Sequence, residues 1–193
     1  MAVKSNLTTM VVCLTVVSLV CSALLGGMYA LTAEPIAKAN ADILKASIGA
    51  VLPEGGELSQ SNASELEGVD EYYVLSENGS PKAYAVKSST NGFGGTLTIM
   101  VGVLADGTVY NTSVLAHSET PGLGAKCAEA DSDFRTQFPN FNGHLAVQKD
   151  GGDIDAITAS TITSRAFTKA VEQAVKLVKS IPTTNSEEET SNE

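Results

Sequence analysis

The hydropathy pattern opens on a long apolar run. Positions 7–30 read LTTMVVCLTVVSLVCSALLGGMYA, and no charged residue stands between Ser5 and Ala33. At about 1.5 Å per residue a helix over this run reaches about 36 Å, more than the roughly 30 Å of a hydrocarbon core. The pattern therefore predicts one transmembrane helix within residues 1–31. A cleaved signal peptide is the competing interpretation, since small residues follow at Ala30 and Ala33. The run exceeds the roughly 7–15 residues of a signal-peptide core, which favours the membrane helix.

Beyond this run, Glu34-Pro35 marks a break. Ile36, Asn40, Ile43, Leu44, Ile48 and Val51 then recur at helical spacing up to Pro53, predicting an amphipathic juxtamembrane helix. Residues 54–68, rich in Gly, Ser, Asn and Glu, read as a flexible connection, so that helix and linker together fill 32–68. Within 69–181, β-prone stretches at 72–75 and 83–87 flank the turn Glu77-Asn78-Gly79-Ser80-Pro81, and 96–104 and 108–116 flank Asp106-Gly107. Both are hairpin signals, and the mostly apolar 96–104 predicts a central strand. Residues 117–124 read as loop, 125–138 as helix, and 145–148 as a short strand ended by Asp150-Gly151-Gly152. Ala166, Phe167, Ala170, Val171, Ala174, Val175 and Val178 predict a long amphipathic helix from Thr161 or Ile162 to Ile181, stopped by Pro182. The acidic residues 182–193 predict a disordered tail. The fold class that follows is α+β: a single transmembrane helix, then a domain with a mainly antiparallel sheet packed by helices.

Charge and composition narrow the function. Twelve Lys and Arg against 22 Asp and Glu give a net charge of −10, which repels a phosphate backbone and argues against nucleic-acid binding. Three cysteines, two of them inside the apolar run, and two histidines supply neither a disulfide framework nor a metal-ligand set. Lys4 on one side of the run and Lys38 and Lys45 on the other leave its orientation undecided by charge. An extracytoplasmic domain is the working expectation, because large domains translocate despite modest charge bias.

Three segments concentrate candidate chemistry. Asn91-Gly92-Phe93-Gly94-Gly95 leads into a strand rather than a helix, so it is no dinucleotide fingerprint; it is either a plain turn or a place where backbone approaches a planar ligand. The loop His117-Ser118-Glu119-Thr120-Pro121-Gly122-Leu123-Gly124-Ala125-Lys126 is dense in polar groups. It serves either as a helix entry, with Thr120 as cap and Pro121 at the first helical position, or as a functional loop. Asp155-Ala156-Ile157-Thr158-Ala159-Ser160-Thr161-Ile162-Thr163-Ser164-Arg165 sets five hydroxyls before an apolar helix. Capping needs one hydroxyl, whereas the free N–H groups and positive dipole end of a helix suit a phosphate, with Arg165 one turn in to add charge. A serine hydrolase built on Ser160 and His117 lacks the G-x-S-x-G elbow. A binding domain without enzymatic activity, its hydroxyls serving only as caps, is the other alternative.

The hydroxyl cluster resembles the flavinylation motif Asp-x-x-Ser/Thr-Gly-Ala-Thr of the FMN-binding domain family, with Asp155, Thr158 and Thr161 at the matching positions, Ala159 in place of Gly and Ser160 in place of Ala. The 117–126 loop is similar to the H-x-E-T-P-G-L-G-x-K segment of the G subunits of Rnf electron-transport complexes; the related C subunits of sodium-pumping NADH:quinone reductases share E-T-P-G-L-G. The resemblance implies FMN joined through its phosphate to Thr161. Asp155 and Thr158 then belong to the sequence read by a flavin transferase, with Ser160 adjacent, and Glu119, Thr120, Pro121, Gly122, Leu123 and Gly124 lie against the cofactor between His117 and Lys126. It further implies an electron relay with no stand-alone catalysis, held in a bacterial inner membrane by one helix, with other membrane subunits of an Rnf-type complex and the lipid bilayer as partners. Membership among the C subunits of the sodium-pumping enzymes is the alternative within that resemblance.

Overall fold

The computed structural model describes residues 6–61 and 66–181. The expectation for the acidic tail falls outside them. The chain divides into two compact units, Met1–Ile43 and Leu44–Glu193.

Helix α1 (Leu7–Val51) runs through the first unit and, from Leu44 on, belongs to the second; its apolar first part is long enough to cross a membrane. Its large apolar side chains from Leu7 to Leu31 are exposed on every side, the pattern of a helix whose solvent is lipid. The expected break at Glu34-Pro35 does not occur: Pro35 lies inside one continuous helix. Proline removes one helical hydrogen bond, but Ala30, Ala33, Ala37, Ala39 and Ala41 around it are among the best helix formers, and the helix continues through the defect.

The second unit is built on a five-stranded antiparallel meander in the order β1-β2-β3-β4-β5: β1 (Glu57–Ser61), β2 (Val69–Glu77), β3 (Ser80–Asn91), β4 (Thr96–Leu104) and β5 (Val109–Ala116). The α+β class is as expected. Asn78 (φ 53°) and Gly79 (φ 80°) make the β2–β3 turn, the two positive-φ residues that match a hairpin's twist. Strand β1 corrects the expectation of a structureless linker: its polar residues hide it from a hydropathy scan, yet Glu57–Ser61 pairs in register with Tyr72–Ser76.

β4 is nearly all buried because both faces of the sheet are covered. On one face α2 (Thr161–Ser180) packs Phe167, Ala170, Val171 and Ala174 over Val86, Leu97, Ile99, Val101 and Val103. Phe134, Phe138 and Phe167 close this core, with ring centroids 4.9–5.3 Å apart. On the other face Ile48, Val51 and Leu52 cover Tyr73, Leu75, Ala83, Ala85 and Met100. The approach at Gly102 is so close that a Cβ there would lie 1.7 Å from the Val51 carbonyl oxygen.

Two further expectations need correction. Residues 125–138 are not an α-helix; they form short 3-10 turns at Gly124–Ala128 and Arg135–Gln137. Ser132 supplies the reason, because its hydroxyl donates to the Glu129 carbonyl (2.8 Å) and accepts from Arg135 N–H (3.3 Å), replacing helical bonds with side-chain ones. The expected strand at 145–148 shrinks to a bridge between Val147 and Ile154, followed by a 3-10 turn at Gln148–Asp150 and a left-handed Gly151.

Candidate functional site

The three sequence segments meet at the N-terminal end of α2. Glu119 joins them. The residue is 6% exposed, and its Oε1 accepts from Phe93 N–H (2.8 Å) and Gly94 N–H (3.4 Å) of the β3–β4 turn, while its Oε2 accepts from the Thr163 hydroxyl (2.8 Å) on α2. Glycine spacing makes the junction possible. A Cβ on Gly92 would sit 2.0 Å from Oε1, and one on Gly124 would sit 2.5 Å from Oε2. Glu119 N–H in turn donates to His117 Nδ1 (3.2 Å), which places the imidazole proton of neutral His117 on Nε2.

Above this junction lies a cleft of about 380 Å³, lined by Phe93, Glu119, Thr120, Leu123, Gly124, Ala159, Ser160, Thr161, Ile162 and Thr163. Its lining is mostly apolar, and Phe93, Leu123 and Ile162 stand exposed around it (70%, 43% and 52%). Thr161 is the first residue of α2 and is partly exposed; among the described residues its hydroxyl has no hydrogen-bond partner. Ser160, at the cap position, makes no side-chain cap bond, so the first-turn N–H groups of α2 are not satisfied from within the helix. Ala159 adopts φ +61°, a left-handed conformation that glycine takes without strain.

The loop before α2 is held from two sides. Ser164 Oγ accepts from Ile157 N–H (2.9 Å) and donates to the Ser160 carbonyl (3.0 Å). The Gln137 side chain brackets the Asp155 backbone, accepting from its N–H (2.7 Å) and donating to its carbonyl (3.2 Å).

Not every anticipated residue shares the cleft. Lys126, Asp155 and Thr158 line a neighbouring hollow of about 480 Å³ with Glu129, Asp131 and Asp133. Asp155 and Thr158 also reach a smaller one of about 310 Å³ that includes Thr161. His117, Pro121 and Gly122 line none of these. Thr120 is part of a turn rather than an α-helix cap, its carbonyl accepting from Leu123 and Ala125 N–H at 3.2 and 3.1 Å. The Arg165 guanidinium is engaged elsewhere: it grips Asp150 through two bonds of 2.6 and 2.7 Å and holds that carboxyl below its ordinary range. Gln137 carries no signal in the sequence, and Thr163 enters there only as one of five hydroxyls; it bonds to a buried Glu that lies 44 residues away along the chain, a distance that leaves no local signal. Beneath the site Cys127 is fully buried, and burial, with Glu119 nearby, pushes its thiol up to about 11.

Comparison with known proteins gives first the class: residues 92–176 match the FMN-binding domain family. Over 169 residues the chain is 32% identical to the G subunit of the proton-translocating ferredoxin:NAD(+) oxidoreductase complex of Clostridium ljungdahlii, covering 86% of this chain and 88% of that protein. Over 113 residues it is 41% identical to the G subunit of the ion-translocating oxidoreductase complex of Vibrio atlanticus, covering 55% of this chain and 54% of that protein. The chain thus spans about half the length of several of the curated relatives it matches. A solved structure, the C subunit of the Na(+)-translocating NADH-quinone reductase of Parabacteroides distasonis, aligns with a TM-score of 0.46 and 24% identity over 67% of this chain and 79% of that one. The chain belongs to the family of G subunits of ion-translocating oxidoreductase complexes and carries an FMN-binding domain.

Proposed function

We propose that this chain is the membrane-anchored flavoprotein subunit of an Rnf-type ion-translocating complex, carrying FMN through a phosphoester to Thr161 and relaying electrons between neighbouring subunits. The observation that carries this is the Thr161 hydroxyl, partly exposed and without a partner among the described residues, at the mouth of a mostly apolar cleft and at the N-terminal end of α2. The residues present fit the group. Unsatisfied N–H groups and the helix dipole suit a phosphate esterified at this position, while Phe93, Leu123 and Ile162 offer apolar surface to a planar ring.

FMN, when bound, supplies electron transfer singly or in pairs, and the polypeptide sets its position and environment. Thr161 fixes the point of attachment. Ser164 and Gln137 hold the Asp155–Thr161 loop in shape, and exposed Asp155 and Thr158 present the motif to a flavin transferase. Glu119 locks the loop carrying Thr120, Pro121, Gly122, Leu123 and Gly124 onto the Gly92–Gly95 turn, with His117 bracing it and Lys126 at its far end. Ser160, buried at the cap position and lining the same cleft, is the neighbouring hydroxyl that is passed over. The anchor crosses the inner membrane once and the domain lies on its extracytoplasmic side, where a tether prevents loss of the cofactor; partners are the other membrane subunits and the lipid bilayer.

Coexpression of the full chain with a flavin transferase, followed by denaturing electrophoresis, tests this. The wild type and Ser160→Ala are expected to fluoresce as flavin bands and Thr161→Val to be dark. A dark wild type, or a bright Thr161→Val, refutes the proposal.

A further inference from the structure

Glu119 does more than tie three segments together. All three of its partners are donors, the pattern a carboxylate accepts, and all three are neutral: two backbone N–H groups and the Thr163 hydroxyl. Among the described residues no Lys, Arg or His forms an ion pair with it. Dipoles stabilise a charge without cancelling it, so a net negative charge remains on a residue that lines the cleft and is only 6% exposed to water.

That charge is also immobile. Gly92 and Gly124 close on opposite oxygens of the carboxylate, leaving no room even for a methyl group, and the donors come from the short β3–β4 turn and from α2. Inside a protein a fixed charge acts on its neighbours far more strongly than one screened by water.

We infer that Glu119 sets the reduction potential of a flavin held in this cleft, keeping it low through its fixed negative charge. The inference rests on the proposal that FMN is attached at Thr161. Reduction of a flavin by two electrons with uptake of one proton leaves one added negative charge on the ring system, and a carboxylate in the cleft wall opposes that charge. Glu119 is in this sense a positioning residue for the Gly92–Gly95 turn and an electrostatic one for the cofactor. The two roles separate experimentally.

The full chain, loaded with FMN by coexpression with a flavin transferase, is titrated against a mediator-coupled electrode as wild type, Glu119→Gln and Thr163→Val. Glu119→Gln removes the charge and keeps the shape. It is expected to raise the ratio of reduced to oxidised flavin at a fixed electrode potential about tenfold, which for a two-electron couple is about 30 mV upward. Thr163→Val keeps the charge and removes one dipole that offsets it, and is expected to move the potential downward. An upward shift in Glu119→Gln together with a downward shift in Thr163→Val supports the inference, whereas a purely structural carboxylate would move both variants the same way or neither. Equal signs, the reverse pair of signs, or a Glu119→Gln potential within about 5 mV of the wild type overturn it. Should Glu119→Gln take up no flavin, the sign of the Thr163→Val shift decides. A wild type without flavin overturns the attachment proposal beneath it; flavin-loaded chains whose potentials ignore the charge overturn this inference alone.

Discussion

Alanine at Gly124 puts a methyl group where the floor of the cleft has no space for one. Its Cβ would lie 2.5 Å from Glu119 Oε2, 2.8 Å from Thr163 Oγ1 and 3.1 Å from Glu119 Cβ, pressed against both partners of the 2.8 Å bond between those two side chains. One or both of those side chains must shift, which strains or breaks the bond. A hydrogen bond to a charged group contributes about 1.5–3 kcal/mol, and a buried hydroxyl left unpaired adds to the loss, so Gly124→Ala is expected to destabilise the domain by about 2–4 kcal/mol. Gly122, two residues earlier in the same loop, is the internal control. A Cβ there meets nothing within 4 Å, and its φ of +75° makes Gly122→Ala cost only about 1–2 kcal/mol of left-handed strain. At roughly 3–6 °C per kcal/mol for a domain of this size, thermal melts of the two variants separate readily. Flavin attachment should fall with Gly124→Ala and persist with Gly122→Ala. A Gly124→Ala melt equal to or above that of Gly122→Ala would refute the claim that the Glu119–Thr163 contact fixes the packing of this loop.

Three further outcomes follow from other parts of the structure. Ala159→Gly relieves the left-handed residue before α2 (φ +61°) and should raise the melting temperature by a few degrees, corresponding to about 1 kcal/mol, without loss of flavin attachment; a lower melt contradicts it. In a Cys13→Ser/Cys21→Ser background, Cys127, fully buried and with its thiol pushed up to about 11, should resist maleimide near pH 8 until the chain is denatured, since the thiolate is the reactive form; native labelling contradicts it. Asp150, held below the ordinary carboxylate range by its hydrogen bonds to Arg165, stabilises the fold above the unfolded-state value and loses that contribution as pH falls through the lowered one. The melting difference between wild type and Asp150→Asn should therefore stay constant from about pH 8 to 5 and close only in stronger acid; a gap that closes near neutrality contradicts the pairing.

What the sequence revealed was what local chemistry dictates. The uncharged run at 7–30, the Asn78-Gly79 and Asp106-Gly107 turns, the burial of β4 and the span of α2 all follow from patterns within a few residues. Helix α2 ends where Ile181 turns extended (ψ 119°), as a residue before proline must. The errors share a cause as well. Pro35 was overridden by its alanine-rich neighbours, β1 was recruited by pairing with β2 rather than by its own polar residues, and the 125–138 helix lost to the hydroxyl of Ser132. At the candidate site, motifs pick out Thr161 and Glu119, and both line one cleft. The contact of Glu119 with Phe93 and Thr163 was not legible, because the partners lie 26 and 44 residues away and only the closed sheet brings them together.

The central claim is the bond at Thr161, and peptide mass spectrometry tests it most directly. The full chain, produced with a flavin transferase, is digested and the peptide containing Asp155 to Arg165 is fragmented. The mass of one FMN, less water, is expected on the fragment ions that contain Thr161 and on none that end at Ser160. An unmodified peptide as the sole species, or the added mass carried by Thr158 or Ser160, contradicts the claim.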